Sequence, residues 1–153
     1  MRIGVISDTH GLLRPEALRA LQGVQLILHA GDVGSPEILT RLKTIAPVFA
    51  VRGNVDTQPW AQELPLTTVV ETAGFHFYVL HNLKDIDVKS QAAGFDAVIS
   101  GHTHVPEQRL DEGVLYLNPG SAGPRRFRLP VSLALLEIGK KPWKVEIVQL
   151  LVD

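Results

Sequence analysis

The sequence predicts an α/β fold in which two mixed β-sheets pack face to face with helices outside. Three observations carry this expectation. Apolar runs rich in β-branched residues at 2–7, 25–30 and 47–51 alternate with helix-like segments early in the chain, an order that implies parallel strands joined by right-handed crossovers. The later chain reads mainly as strand pairs, so a second sheet has to lie on the first. Carboxylate, amide and imidazole side chains recur just beyond the apolar runs, where open α/β sheets place a ligand.

The elements follow in order. After the first strand, Pro15 opens a helix whose apolar positions Ala17, Leu18, Leu21 and Val24 fall at helical spacing. A buried strand at 25–30 follows. Ser35-Pro36-Glu37 starts a second helix with a capping hydroxyl, a proline in the first turn and an acid near the positive end of the dipole. Ile38, Leu39, Leu42 and Ile45 line its inner face, and 47–51 forms the third strand. Residues 58–66, polar and broken by Pro59 and Pro65, read as a surface loop. Segments 67–71 and 75–80 form a hairpin around Ala73-Gly74. A short helix is expected over 85–93 with Gly94 at its end, then a strand at 97–100. Residues 106–113 read as a loop and 114–117 as a strand. Two last strands, 132–138 and 145–152, flank the turn at 139–142.

Composition narrows the function. With 153 residues, 45% of them hydrophobic and 20% charged, the chain has the size and makeup of one globular domain over 1–153. A net charge of −1 provides no basic stripe for long nucleic acid. No apolar run approaches membrane-spanning length, and the first strand meets Asp8 and His10 too soon for a signal peptide. A cytoplasmic protein without a membrane partner is therefore expected, and a homo-oligomer is compatible with the sequence. There are no cysteines, so any metal must be held by nitrogen and oxygen.

The residues at the strand ends fit that restriction. His102 and His104, one residue apart in an extended segment, share a side, and Gly101 before them allows close approach. Together with Asp8, His10, Asp32, Asn54 and His81 they make a set of donors too large for one tetrahedral ion. Such a set suits two ions about 3.5–4 Å apart that share one carboxylate and act as Lewis acids on a phosphate.

Asp8-Thr9-His10, Gly31-Asp32, Gly53-Asn54-Val55-Asp56, His81 and Gly101-His102-Thr103-His104 resemble, in order, the five motif blocks of the calcineurin-like metallophosphoesterases. Length and the segment Asn118-Pro119-Gly120-Ser121 make the chain most similar to their small bacterial and archaeal phosphodiesterase branch. The resemblance implies an α/β/β/α sandwich that hydrolyses a small phosphodiester, with a metal-bridging hydroxide as nucleophile. It implies that Asp8, His10 and His104 hold one ion, that Asn54, His81 and His102 hold the other, and that Asp32 bridges them. His10 and Asn54 are expected to take part in catalysis as well. The mixed donor set suits manganese, with nickel, zinc or iron as the other candidates.

Two positions depart from the family pattern. Many relatives carry a histidine, thought to protonate the leaving oxygen, where Val55 stands. Its absence, shared by the small phosphodiesterase branch, leaves His10 or water as acid and favours esters with good leaving groups. Asn82 follows His81 where relatives commonly have glycine. The retromer scaffolding subunit resembles this fold without the activity, so a binding scaffold is the alternative function.

Several further residues carry weaker expectations. His29 belongs in the sheet interior, orienting ligands, and His76 faces solvent. Asp56 belongs to the turn, and residues 118–121 form a tight turn with amides able to bind an anion. Arg125 and Arg126 are candidate substrate-binding residues that would clamp a phosphate, while Arg128 completes the cluster.

Overall fold

The computed structural model describes residues 1–86 and 94–152. Period-two patterning in β1 (Arg2–Ile6) separates two cores. Ile3 and Val5 face the second sheet, while Ile6 faces the helices. Gly4 lies on the helix side, where a Cβ would collide with Leu21, so its missing side chain lets α1 (Pro15–Ala20) sit close to the strand.

The first sheet has the order β10–β9–β1–β2–β3, with β2 (Leu26–His29), β3 (Val48–Ala50), β9 (Ser132–Glu137) and β10 (Lys144–Gln149). Its central strands β1, β2 and β3 run parallel, as the alternation with helices requires, and β9 joins β1 antiparallel with Ile3 opposite Leu136. The second sheet has the order β4–β5–β6–β8–β7, with β4 (Thr67–Thr72), β5 (Phe75–Leu80), β6 (Ala97–Ile99), β7 (Glu107–Asp111) and β8 (Val114–Asn118). Here β5, β6 and β8 are parallel and the outer strands antiparallel. The two mixed sheets expected from the sequence are thus present.

Between the sheets lies a core that includes Val5, Leu28 and Leu136 from one and Phe77, Ile99 and Leu117 from the other. At roughly 1.5–3 kcal/mol for each fully buried large apolar side chain, this layer is the main force holding the sheets together. The outer face of the first sheet is covered by α1 and α2 (Pro36–Lys43) through Leu21, Ile38 and Leu42. A smaller cluster of Leu80, Ile86, Val98 and Tyr116 covers the second.

Three local expectations change. Residues 106–113 are not a loop. They contain β7, exposed along its whole length and therefore without the apolar alternation that marks a strand, and Glu112-Gly113 turn it into β8. The segment 58–66 contains a 3-10 turn over Pro59–Glu63, started by proline and anchored by buried Ala61. Ser35 holds the first position before α2, but its hydroxyl makes no capping hydrogen bond. The helix expected at 85–93 falls largely outside the described residues, and its first residue closes a 3-10 turn, Leu83–Asp85.

Candidate metal centre

Each expected donor follows a parallel strand: Asp8 and His10 after β1, Asp32 after β2, Asn54 after β3, His81 after β5, and His102 and His104 after β6. The β1–β2 ladder continues past the sheet, since Asp8 N donates to Gly31 O and His10 N to Asp32 O at 3.0 and 2.9 Å. In the second sheet the β5–β6 ladder likewise continues, Gly101 N donating to His81 O at 2.9 Å, and across the sandwich His102 N donates to Asp8 Oδ2 at 3.1 Å. Both sheets therefore end at one mouth.

The turns that follow are unusual. Asp8, His10, Asp32, His102 and His104 all have positive φ, between 47° and 73°, a region that residues with a Cβ seldom occupy. Such strain persists only where surrounding contacts over-determine it. The glycines of the motifs supply those contacts by allowing close approach: a Cβ at Gly53 would collide with Asp32, and one at Gly101 with Ser7 and Asp8.

Two groups of donors result. Asp8, His10 and His104 form one, and Asp32, His81 and His102 the other, with the ligand atoms of each within 4.8 Å of one another. Asp8 Oδ1 lies 3.4 Å from His104 Nε2 and 3.7 Å from His10 Nε2, and Asp32 Oδ2 lies 3.1 Å from His81 Nε2. Nitrogen and oxygen donors about 2.0–2.2 Å from a common ion stand about 3.0–3.5 Å apart, so the 3.1 and 3.4 Å spacings fit a divalent cation and the 3.7 Å spacing lies slightly wider. Asp32 Oδ2 is also 3.6 Å from His10 Nε2 and so lies between the two groups. Asn54 is exposed, and it lines a cavity of about 500 Å³ together with His81 and His102.

Unsatisfied atoms point the same way. Asp8 Oδ1, His10 Nε2 and His81 Nε2 are buried with no hydrogen-bond partner among the described residues. Leaving each unpaired would cost roughly 1–3 kcal/mol, and a cation held among them removes that cost. Their other atoms are fixed: Asp8 Oδ2 accepts from Ser7 Oγ at 2.7 Å and His102 N at 3.1 Å, Asp32 Oδ1 accepts from Val55 N at 3.0 Å, and His81 Nδ1 donates to Ala30 O at 2.7 Å. This last bond leaves the Nε2 lone pair facing the carboxylates.

Proton affinities reflect the crowding. Burial alone would raise both acids, but His81 and the Val55 amide bring Asp32 down to about 2, and His10, His81 and Ser7 hold Asp8 below its usual value. His10 is raised by Asp8 despite burial, and His81, although burial opposes it, is raised by Asp32. Burial lowers His104, and Arg126 adds to the effect.

Around the donors sits a supporting network. His29, buried, accepts from Gly31 N at 3.1 Å through Nδ1 and so donates through Nε2 to Thr9 Oγ1 at 3.0 Å, while Thr9 Oγ1 donates to Val33 O at 2.8 Å. Asp56 accepts from three amides, Gly53, Val33 and Gly34, at 2.9, 3.1 and 3.0 Å, and thereby locks the loop after β3 to the loop after β2. Ser7, which the sequence did not single out, clamps Asp8 because Gly101 packs over it from the other sheet, a proximity that only the fold creates.

Other expectations sort differently. His76 does face solvent, opposite Glu71 and 3.5 Å from it. The turn at 118–121 is not an anion nest, because Asn118 Oδ1 takes the Gly120 amide at 2.9 Å and Pro119 has no N–H. Arg126 lines a cavity beside His102, whereas Arg125 lines neither cavity at the site, the chain turning just beyond it through Leu129 N to Arg126 O.

A double sheet sandwich whose strand ends bring together two carboxylate–imidazole groups defines a candidate metal-dependent hydrolase. Residues 1–141 match the model of the calcineurin-like phosphoesterase superfamily domain, and the chain belongs to that family. A probable metallophosphoesterase of Methanothermobacter thermautotrophicus is 40% identical, over 92% of this chain and 88% of its own. The phosphodiesterase YfcE of Escherichia coli K12 is 28% identical, over 90% and 88%. Among solved structures, wild-type Vps29 of Entamoeba histolytica complexed with zinc matches with a TM-score of 0.75 at 27% identity, over 97% of this chain and 99% of that one. Among the described residues, no helix is long and apolar enough to cross a membrane.

Proposed function

We propose that the chain is a cytoplasmic, two-metal phosphodiesterase acting on small phosphodiesters, with manganese as the favoured ion and nickel, zinc or iron as the other candidates. The observation that carries this reading is Asp32 Oδ2, which lies 3.6 Å from His10 Nε2 of one donor group and 3.1 Å from His81 Nε2 of the other. A single carboxylate between two sets of largely buried donors is what a shared ligand requires. Asp8, His10 and His104 would hold one ion and Asn54, His81 and His102 the second.

Two such ions would neutralise the phosphate and lower the pKa of water to roughly 7, so the nucleophile comes from solvent and no serine or cysteine is needed. The chain contributes the geometry. Asp8 and Asp32 are held ionised, and the hydrogen bond to Ala30 O keeps the His81 lone pair on the carboxylate side. His10 Nε2 points between the carboxylates, which supports metal binding for it, with His10 or water as the acid at the leaving oxygen. Val55, 47% exposed and next to Asn54, offers no proton.

Stripped protein reloaded with manganese should hold two ions per chain by elemental analysis and hydrolyse bis(4-nitrophenyl) phosphate. Asp32→Ala should lose both the second ion and the turnover. An empty site under manganese excess would overturn this reading and favour the scaffold.

A further inference from the structure

A cavity of about 690 Å³ opens beside His102 on the outer side of the second sheet, within the size range of small-molecule sites. Lys84, Arg109 and Arg126 line it against one carboxylate, Glu107, so it gathers positive charge in a chain whose net charge is −1. The three cations come from three separate segments, which only the fold brings together.

Arg109 is held in place. Its guanidinium lies 4.2 Å from the centroid of the Tyr116 ring, with Glu107 and Asp111 at 3.9 and 3.5 Å, and the side chain stays 42% exposed. Thr103 adds a donor. Its Oγ1 accepts from Asn118 Nδ2 at 3.0 Å and from Val105 N at 3.2 Å, which leaves the hydroxyl proton for a ligand. His102 and Thr103 tie this cavity to the donor groups, since both line it and Thr103 stands between His102 and His104.

We propose that this cavity binds a second phosphate of the substrate, carried on one arm of the diester whose scissile phosphate lies at the donor groups. The proposal rests on the phosphodiesterase reading and narrows it to small diesters that bear another phosphate. A dianionic phosphate matches planar guanidinium forks, an ammonium and a hydroxyl donor better than a neutral arm does.

Thymidine 5′-(4-nitrophenyl phosphate) with and without a 3′-phosphate differs only in the proposed group. The manganese-loaded protein should prefer the 3′-phosphorylated ester by about tenfold or more in kcat/KM, and the double variant Lys84→Ala/Arg109→Ala should lose that preference. Equal use of the two esters by the wild type, or a preference that survives in the variant, overturns the proposal. Turnover of bis(4-nitrophenyl) phosphate, which has no second phosphate, reports on the hydrolase reading alone. If neither ester is cleaved, calorimetric titration of the metal-free protein with thymidine 3′,5′-bisphosphate decides. The wild type should bind about tenfold more tightly than a double variant with an unchanged circular dichroism spectrum, and absent or equal binding refutes the second-phosphate site.

Discussion

Asp32 Oδ2 stands 3.1 Å from His81 Nε2, joining the end of β2 in one sheet to the end of β5 in the other. Neither residue could hold this position through its own strand alone. The Asp32 carboxylate is held by the Val55 amide, and the His81 ring is aimed by Ala30 O. Packing of the inter-sheet core therefore sets the site geometry, and substitutions that shift one sheet against the other should act on metal affinity before they act on fold.

Gly101→Ala tests that coupling. A Cβ there would drive into Ser7 and Asp8, which tie β1 to β6, so manganese affinity should weaken by roughly 10–100-fold, as for other residues that orient ligands. Gly113→Ala is the control. Its φ of 80° makes a side chain strained by roughly 1–2 kcal/mol, but nothing lies within 4 Å, so stability should fall while manganese affinity, read by calorimetric titration, stays unchanged.

Asp56→Ala removes the acceptor shared by the Gly53, Val33 and Gly34 amides. Unsatisfied buried donors cost roughly 1–3 kcal/mol each, and local water entry recovers part of this. A loss of about 3 kcal/mol, or about 6–12 °C in Tm, is expected by differential scanning calorimetry. Asp56→Asn keeps one acceptor oxygen and should fall in between.

The alternation of apolar runs with helical spacing made β1, β2, β3 and both helices readable, because buried parallel strands and amphipathic helices write their burial into the sequence. Strand β7 left no such trace. Glu107, Arg109 and Asp111 alternate with Gln108 and exposed Leu110 along an edge that buries nothing, and only pairing with β8 makes them a strand. At the site, residue types and order were legible at Asp8, His10, Asp32, His81, His102 and His104. Ser7, the Asn118 bonds to Gly101 and Thr103, and the Arg109 stack on Tyr116 depend on distant segments meeting, which no local pattern records.

His29 should make stability depend on pH. Burial lowers its pKa from 6.5 to about 4, so between these values the unfolded chain binds a proton that the folded chain refuses. Stability from this residue is complete above about pH 6.5 and is lost as pH falls towards 4, by roughly 3 kcal/mol in total. Urea denaturation across pH 7 to 4 should show the difference between wild type and His29→Ala shrinking over that window. A difference independent of pH would mean that the folded ring takes up a proton as readily as the unfolded one.

Val55→His tests whether the leaving oxygen needs a proton that Val55 cannot give. The Val55 amide already donates to Asp32 Oδ1 at 3.0 Å, so position 55 adjoins that carboxylate, and its side chain is 47% exposed at the mouth. An imidazole there can lean over the leaving oxygen without displacing a buried group. General acid help of about 10²–10⁴-fold applies only where the leaving group needs a proton, so the gain should be large for methyl 4-nitrophenyl phosphate analogues with alkyl leaving groups and small for bis(4-nitrophenyl) phosphate. The decisive measurement is the dependence of log kcat/KM on leaving-group pKa, which should be steep in the wild type and flatter in Val55→His. Parallel slopes would show that protonation does not limit this site.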